Sequence, residues 1–481
     1  MLAVPITRST RGAYPSRKPR DGSPPGLNRS IKGDSPNPQR ARAFFRHREP
    51  RPFGNPMTEV LLFLVGGFCG GLANWAIYRL AVIHPRAVSP WSRWNAPGFR
   101  GTECLPIVGW WLRQRQAGDF GRGFWIRPLL IELGCAIGLP LLLHAIRGGI
   151  FTSCAAFVAS PPAAVQAWTW LAFFYALAIL LIAATFIDLD EKTIPDAITL
   201  PGTLIALLVA FLVPESRLPD VQILPAGLSI NPLQFASPGD LPNLHRGPWG
   251  LAVLWGVIVL WMFALVPKYV SWRRGIGKGF WLIWASIIRP PRARQRISPI
   301  KPRRMFWQTR WLMGLGLVLI VAVLGGWWVG GAAWDRLFSA WMGFAFGGGL
   351  VWAVRIVAGS SLGREAMGFG DVTLMGMIGA WLGWQPALLV FAIAPFAALV
   401  IAVIQLIAVK HTEIAFGPYL SLGAIVVILF WGSLWHDWAK FSVFALGPVL
   451  LVITLLCLVL MAGMLGTWRL IKVRWFSETE A

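Results

Sequence analysis

The chain has 481 residues, 56% of them hydrophobic, with 28 Trp and only 14% charged. Its many continuous apolar runs of about 20 residues match the length of a helix that crosses a bilayer; this excludes a soluble protein with one core, and the lack of strict alternation excludes a membrane β-barrel. The net charge of +23 is gathered between apolar runs, where basic loops act as retention signals beside anionic lipid. That reading, with membrane lipid as partner, is preferred to nucleic-acid binding.

Residues 1–56 are rich in Pro, Arg, Ser and Gly, carry 12 Lys/Arg and 3 acids, and lack an apolar run. They read as a disordered basic tail and not as a signal peptide. Apolar runs then predict eleven transmembrane helices at 58–80, 128–146, 167–187, 197–213, 249–267, 311–330, 337–357, 372–390, 391–409, 417–436 and 443–466. The expected fold class is all-α, a polytopic helical membrane protein. Gln385-Pro386 is the one break signal inside 372–409.

Charge orients these spans. Loop 84–127 carries 7 Arg and 2 acids and is expected inside, as is 268–310, with 12 Lys/Arg and no acids. Loops 147–166 and 214–248, poor in Lys and Arg, are expected outside. Asp188, Asp371 and the tail with Arg469, Lys472 and Arg474 then fall on the inner side. The same count puts residues 1–56 outside despite their charge, a conflict that a start of translation at Met57 would remove. Within 268–310, the short apolar run Gly279–Trp284 reads equally as an interfacial helix with Trp anchors or as a solvated linker.

Two short motifs carry chemistry. One is Ile187-Asp188-Leu189-Asp190, leading into Ile194-Pro195-Asp196; the other is Gly368-Phe369-Gly370-Asp371. Each sets an aspartate at the edge of an apolar stretch, where an ionised carboxylate is costly and a functional role is the first hypothesis. Two facing carboxylates are the minimum equipment for aspartyl hydrolysis: one takes a proton from water, and the other donates to the carbonyl oxygen. Pro195 suits the start of the following helix, and Asp196 is a candidate to cap it. Gly368 and Gly370 are expected to supply backbone freedom that turns Asp371 inward. Glu365 either positions that turn or is solvated.

These motifs resemble the type IV prepilin peptidase family. Gly66-Gly67-Phe68 through Asn74–Leu80 resembles its first span, Cys104–Trp110 the end of its first cytoplasmic loop, and Arg127-Pro128 with Glu132 the entry to its second span. Asp188–Gly202 and Arg364–Val372 resemble its two catalytic regions, and Phe416-Gly417-Pro418-Tyr419-Leu420 a late-loop motif. The resemblance implies an aspartic endopeptidase of the bacterial inner membrane. Asp188 and Asp371 would be catalytic, and the substrates would be type IV prepilins or pseudopilins of type II secretion. It implies no cofactor for proteolysis.

Family members often carry two CxxC pairs that hold zinc in the first loop. Here Trp94 stands where the first such Cys is expected, and Cys104 alone cannot build a four-ligand site, so no zinc is expected. The family also methylates the new N-terminus with S-adenosylmethionine, and the altered loop leaves that second activity and its cofactor an open question for this chain. The implied domains are 57–146, a first hairpin; 147–213, the first aspartate region; 214–335, an insertion with two extra helices; 336–440, the second aspartate region; and 441–481, an extra helix and tail. Three other readings are compatible with paired acids in an apolar chain: a presenilin-like intramembrane protease, a transporter, and a non-enzymatic pilus-assembly scaffold.

Overall fold

The computed structural model describes residues 55–80, 105–116, 123–152, 162–224, 227–239, 243–265, 300–363, 367–408, 415–447 and 449–476. The tail 1–54, Trp94, Cys104, Gly279–Trp284 and Glu365 lie outside the described residues. The helices are α1 (Pro56–Leu80), α2 (Val108–Leu112), α3 (Ile126–Arg147), α4 (Ala164–Glu191), α5 (Asp196–Leu212), α6 (Pro248–Leu265), α7 (Ile300–Val329), α8 (Gly331–Leu362), α9 (Phe369–Leu382), α10 (Trp384–Ala408), α11 (Gly417–Leu429) and α12 (Val449–Phe476). One antiparallel hairpin, β1 (Pro219–Leu224) with β2 (Gly227–Pro232), lies between α5 and α6 and was not foreseen.

Apart from that hairpin the protein is helical, a multi-pass membrane protein of the all-α class. Seven helices are long and apolar enough to cross a membrane, or eight if the bent pair Gly417–Leu429 and Gly432–Leu446 is one span; three further apolar helices, in the regions of α5, α6 and α9, are shorter. Each of the eleven expected positions holds a helix; α7 begins earlier than 311, α12 is shifted downstream relative to 443–466, and two other boundaries are displaced.

The first displaced boundary is between α9 and α10. It falls at Gly383 and not near 390, because Gly383 sits at φ +108, a conformation that favours glycine. Pro386 lies in the first turn of α10, where its missing N–H breaks no intrahelical bond. The second is in the expected span 417–436, which turns by 79° after Leu429 into a π-helix, Gly432–Ala439. At the bend Gly432 N–H donates to Ile150 O at 3.1 Å, and a Cβ on Gly432 would crowd the carbonyls of Ile150 and Thr152.

α4 shows how the site is aimed. Its buried residues include Trp170, Phe174, Leu177, Leu181, Ala184 and Asp188. They recur every three or four positions and so form one inward stripe. Asp188 is the last member of that stripe, about 27 Å along the helix from Trp170 at 1.5 Å per residue. Trp170 Nε1–H reaches Arg217 O beside the hairpin. The hairpin and Asp188 therefore mark opposite ends of the bundle.

α9 runs in the opposite sense, from Asp371 to Gly383, where a Cβ would stand 2.9 Å from the buried Arg217 guanidinium. It packs on α8 backbone to backbone: a Cβ on Gly379 would overlap Gly343 O, and one on Gly343 would overlap Gly379 O. Such contacts between small residues suit membrane helices, where burial of apolar side chains supplies little drive. Trp381 Nε1–H donates to Gly202 O at 2.9 Å and joins α9 to α5.

The α6–α7 pair packs on this core through a second apolar cluster. It joins Leu251, Leu254, Ile258 and Val323 to Leu207 and Ala210 of α5 and Trp334–Trp341 of α8.

Gly379→Ala should lower the stability of the detergent-solubilised protein by about 1–3 kcal/mol, the usual range for overpacking. Gly349→Ala, whose Cβ would meet nothing within 4 Å, should be neutral or slightly stabilising. Equal melting temperatures for the two variants would contradict the packing described.

Candidate active site

Asp188 ends α4 facing inward and is 4% exposed. The helix stops four residues later, where Lys192 turns left-handed (φ 54) and its N–H closes on Asp188 O at 2.8 Å. Ile194 and Pro195 then lead back into α5. Pro195 occupies the N-cap with extended geometry, and Asp196 is the first helical residue. The expected capping bond from Asp196 is absent: its side chain is exposed and leaves the α5 N-terminus without a side-chain cap. Its charge still lies in the first turn, where the helix dipole favours it.

Asp371 is the third residue of α9 and is 7% exposed. Its carboxylate accepts a hydrogen bond from the backbone of Gly368, the N-cap residue. This is the reach-back half of a capping box.

The two aspartates, 183 positions apart in the chain, lie at the same end of the bundle and close enough for their charges to interact. Among the sequence-predicted residues the structure brings Asp188, Asp371, Gly368 and Gly370 together. Asp196 points to the surface. Asp190 also stays outside the pair: it is bound to Arg127 at 2.8 Å.

The role expected of the glycines changes. Gly368 has φ −67 and ψ 155, open to any residue, and Gly370 has no positive φ. Backbone freedom is therefore not their contribution. Gly370 is small because the chain around Ile194 presses on it: a Cβ there would stand 2.9 Å from Ile194 Cβ and 3.0 Å from Ile194 N. At Gly368 the nearest atoms to a Cβ would be at 3.7 and 3.9 Å, ordinary contacts.

Two residues of the site carried no role in the sequence reading. Gly417, the first residue of α11, donates its N–H to Asp188 Oδ2 at 3.1 Å. A Cβ at Gly417 would stand 2.5 Å from that oxygen and 2.8 Å from Ile194 Cδ1. Ile194, 7% exposed, thus wedges between Gly370 and Gly417 and joins the segments that bear both carboxylates. The Gly-Pro pair at 417–418 was the available signal for Gly417, since Pro favours the first helical turn. Nothing local marked Ile194.

No three His, Cys, Asp or Glu side chains cluster around a metal position among the described residues. Cys104 is the lone cysteine between α1 and α3, a donor set that does not fit the four ligands of a structural zinc site.

Residues 307–403, which include Asp371 but not Asp188, match the model of the type IV leader peptidase family. Over this region the chain is similar to that family. The match begins inside the range 214–335 that the sequence reading treated as an insertion. Among curated relatives, the prepilin leader peptidase/N-methyltransferase of Pseudomonas aeruginosa is 32% identical over 113 residues, 23% of this chain and 38% of the relative. The protein of the same name from Escherichia coli K12 is 33% identical over 92 residues, 19% of this chain and 41% of the relative. That from Aeromonas salmonicida is 30% identical over 107 residues, 22% and 35%. The chain thus spans about two fifths of these relatives' length at most. No solved structure matches it.

Gly417→Ala should displace the Asp188 carboxyl and cost about 1–3 kcal/mol of stability, whereas Gly368→Ala should be tolerated within about 0.5 kcal/mol, like most substitutions that meet no steric or polar conflict. Thermal unfolding of both purified variants checks the contrast. A harmless Gly417→Ala would show that the close approach at Asp188 is not needed.

Proposed function

We propose that the protein is an aspartic endopeptidase of the bacterial inner membrane. It removes the short basic leader of type IV prepilins or type II secretion pseudopilins at the cytoplasmic face. The observation that carries this reading is the pair itself: two buried carboxylates from distant helices, in electrostatic contact at one end of an apolar bundle. The family match and the relatives' names support the class of substrate. The orientation rests on the positive-inside rule applied to loops 84–127 and 268–310.

In the working state the two carboxyls share one proton. The ionised one draws a proton from a water held between them as that water attacks the scissile carbonyl; the protonated one donates to the carbonyl oxygen. Collapse of the tetrahedral intermediate then transfers a proton to the leaving amine. The reaction draws on these two groups and water, without a metal or cofactor. The pair titrates as a unit, so the order of the roles belongs to the pair and not to either residue. The apolar helix that follows the leader lies along the spans, so the cleavage point stops at the rim where α4 ends and α9 begins.

The relatives' shared name includes an N-methyltransferase. That activity is left out of the proposal for this chain, because its first loop holds Cys104 alone.

The test is leader removal from a co-expressed prepilin of the same genome, followed by intact mass. Asp188→Asn and Asp371→Asn should each reduce processing by about 10²-fold or more, the scale of a lost general acid or base. Wild-type protein should give a bell-shaped pH–rate profile with an acidic and a basic limb. Unchanged processing in both variants would reject the proposal. The same spectra read any methyl group added to the new N-terminus.

A further inference from the structure

Each aspartate-bearing segment is gripped by an arginine from another helix, and the two grips are alike. Arg127, near the start of α3, donates from Nη2 to Phe186 O at 3.2 Å, and its Cζ lies 4.7 Å from the centre of the Phe186 ring. Arg355, on α8, donates from Nε to Met367 O at 2.9 Å, with Cζ 5.6 Å from the centre of the Phe369 ring. Phe186 stands two residues before Asp188, and Phe369 two residues before Asp371. Both guanidinium groups are therefore within cation–π range of a ring and hydrogen-bonded to a backbone carbonyl just upstream of a carboxylate.

We infer that Arg127 and Arg355 are positioning residues, each fixing through a carbonyl and a phenylalanine ring the segment that presents one aspartate of the pair. The inference rests on the aspartyl reading above and adds to it the groups that set the distance between the two carboxyls.

Three physical points support it. First, the segments end in places that helix bonds alone hold poorly. Asp188 lies in the last turn of α4, and Asp371 in the first turn of α9, just after an extended residue. Helix ends fray most readily, so a hydrogen bond from a neighbouring helix restrains each segment where its own helix holds it least. Second, a planar guanidinium meets a carbonyl and a ring face together, which a lysine ammonium does not reproduce. Third, the ion pair between Arg127 and Asp190 does not explain the contact, because both side chains are partly exposed, at 36% and 27%; pairs of that kind contribute little. Displacements of about 1 Å in a reacting group cost up to about 10²-fold in rate, so a grip two residues away acts on turnover before it acts on binding.

The experiment uses the full-length protein in detergent and a purified prepilin from the same genome, with kcat and KM measured separately. Arg127→Lys and Arg355→Lys should each lower kcat about tenfold or more while KM stays within about twofold. Guanidinium ion added to Arg127→Ala or Arg355→Ala should recover part of kcat, and should do nothing for Asp188→Asn or Asp371→Asn. Asp190→Asn should cleave at close to the wild-type rate. Where an arginine variant does not accumulate, Phe186→Leu and Phe369→Leu keep the apolar volume, remove the ring face, and should lower kcat with KM little changed. Wild-type kcat in all arginine and phenylalanine variants, alongside inactive aspartate variants, would overturn the inference and leave the aspartyl reading intact. Losses that track only the amount of folded protein, with no response to guanidinium, would overturn it too. Active aspartate variants would remove the reading itself and the inference with it.

Discussion

Close approach of backbone to backbone is the constraint on which the rest of this bundle depends. Lipid tails are as apolar as leucine, so helices in a bilayer gain little by burying side chains against one another. They are held where small residues let main chains touch and where buried polar groups find partners. Gly343 against Gly379 sets the spacing of α8 and α9, and the sulfur of Met377 fills the notch left by Gly202 between α5 and α9. At the carboxylate end the same device becomes chemical. Gly370 and Gly417 are stripped of side chains so that Ile194 and the Asp188 carboxyl can enter. A glycine that sets helix spacing and a glycine that admits a carboxylate obey one steric rule, and only the atom admitted differs.

The opposite end of the bundle is fixed by tryptophan. Trp170, Trp334, Trp384 and Trp431 each give an indole N–H to a backbone carbonyl, and Trp435 gives its own to the buried Asp220 of β1. Lys440 reaches the same Asp220 at 2.8 Å. Trp431 and Trp435 stack with ring centres 5.1 Å apart along the π-helix. A π-helix has a longer turn than an α-helix, and it allows both rings and Lys440 to face the hairpin together. Arg217 is buried nearby against Gly383. Burial pushes its guanidinium down to about 10, with the neighbouring Arg336 adding repulsion, yet it still carries a charge at neutral pH. That charge lies at the C-terminal end of α9, where the helix dipole accepts a cation. The far end of the helix that bears Asp371 is thereby anchored.

The helices, and the placement of both aspartates at one end of the bundle, were legible because hydropathy and charge act over long windows. Asp188 falls on the inward stripe of α4 simply by spacing from Trp170. What escaped the sequence was decided by single contacts between distant segments. The boundary at Gly383 depends on one positive φ, while the more visible Pro386 proved harmless inside a first turn. The hairpin at 219–232 was hidden by its Pro-rich flanks. The roles of Gly368 and Gly370 were assigned from what glycine permits in general, but the structure shows a neighbour's demand for space at Gly370 and none at Gly368. Gly417 and Ile194 matter because they meet across the fold; the Gly-Pro pair marked a helix start at Gly417, but no local pattern announces the contact with Ile194.

The added helices follow from the same rules. α6 starts near Trp334, where His245 and Arg246 of the preceding turn hold Asp335. It runs toward Trp261, whose ring meets Gly348 at the level of Val372, just beyond Asp371. α7 returns to the starting end, where Trp327 donates to Arg246 O. A pair that leaves and returns keeps every later segment on its own side of the bundle, so α9 still presents Asp371 beside Asp188. The pair has its own apolar cluster, built on the outer faces of α5 and α8. The two carboxylates come from α4 and α9, and Ile194 wedges between Gly370 and Gly417 beside them. The geometry of the pair and the extra bulk of the chain therefore depend on different contacts, and the second can change without moving the first.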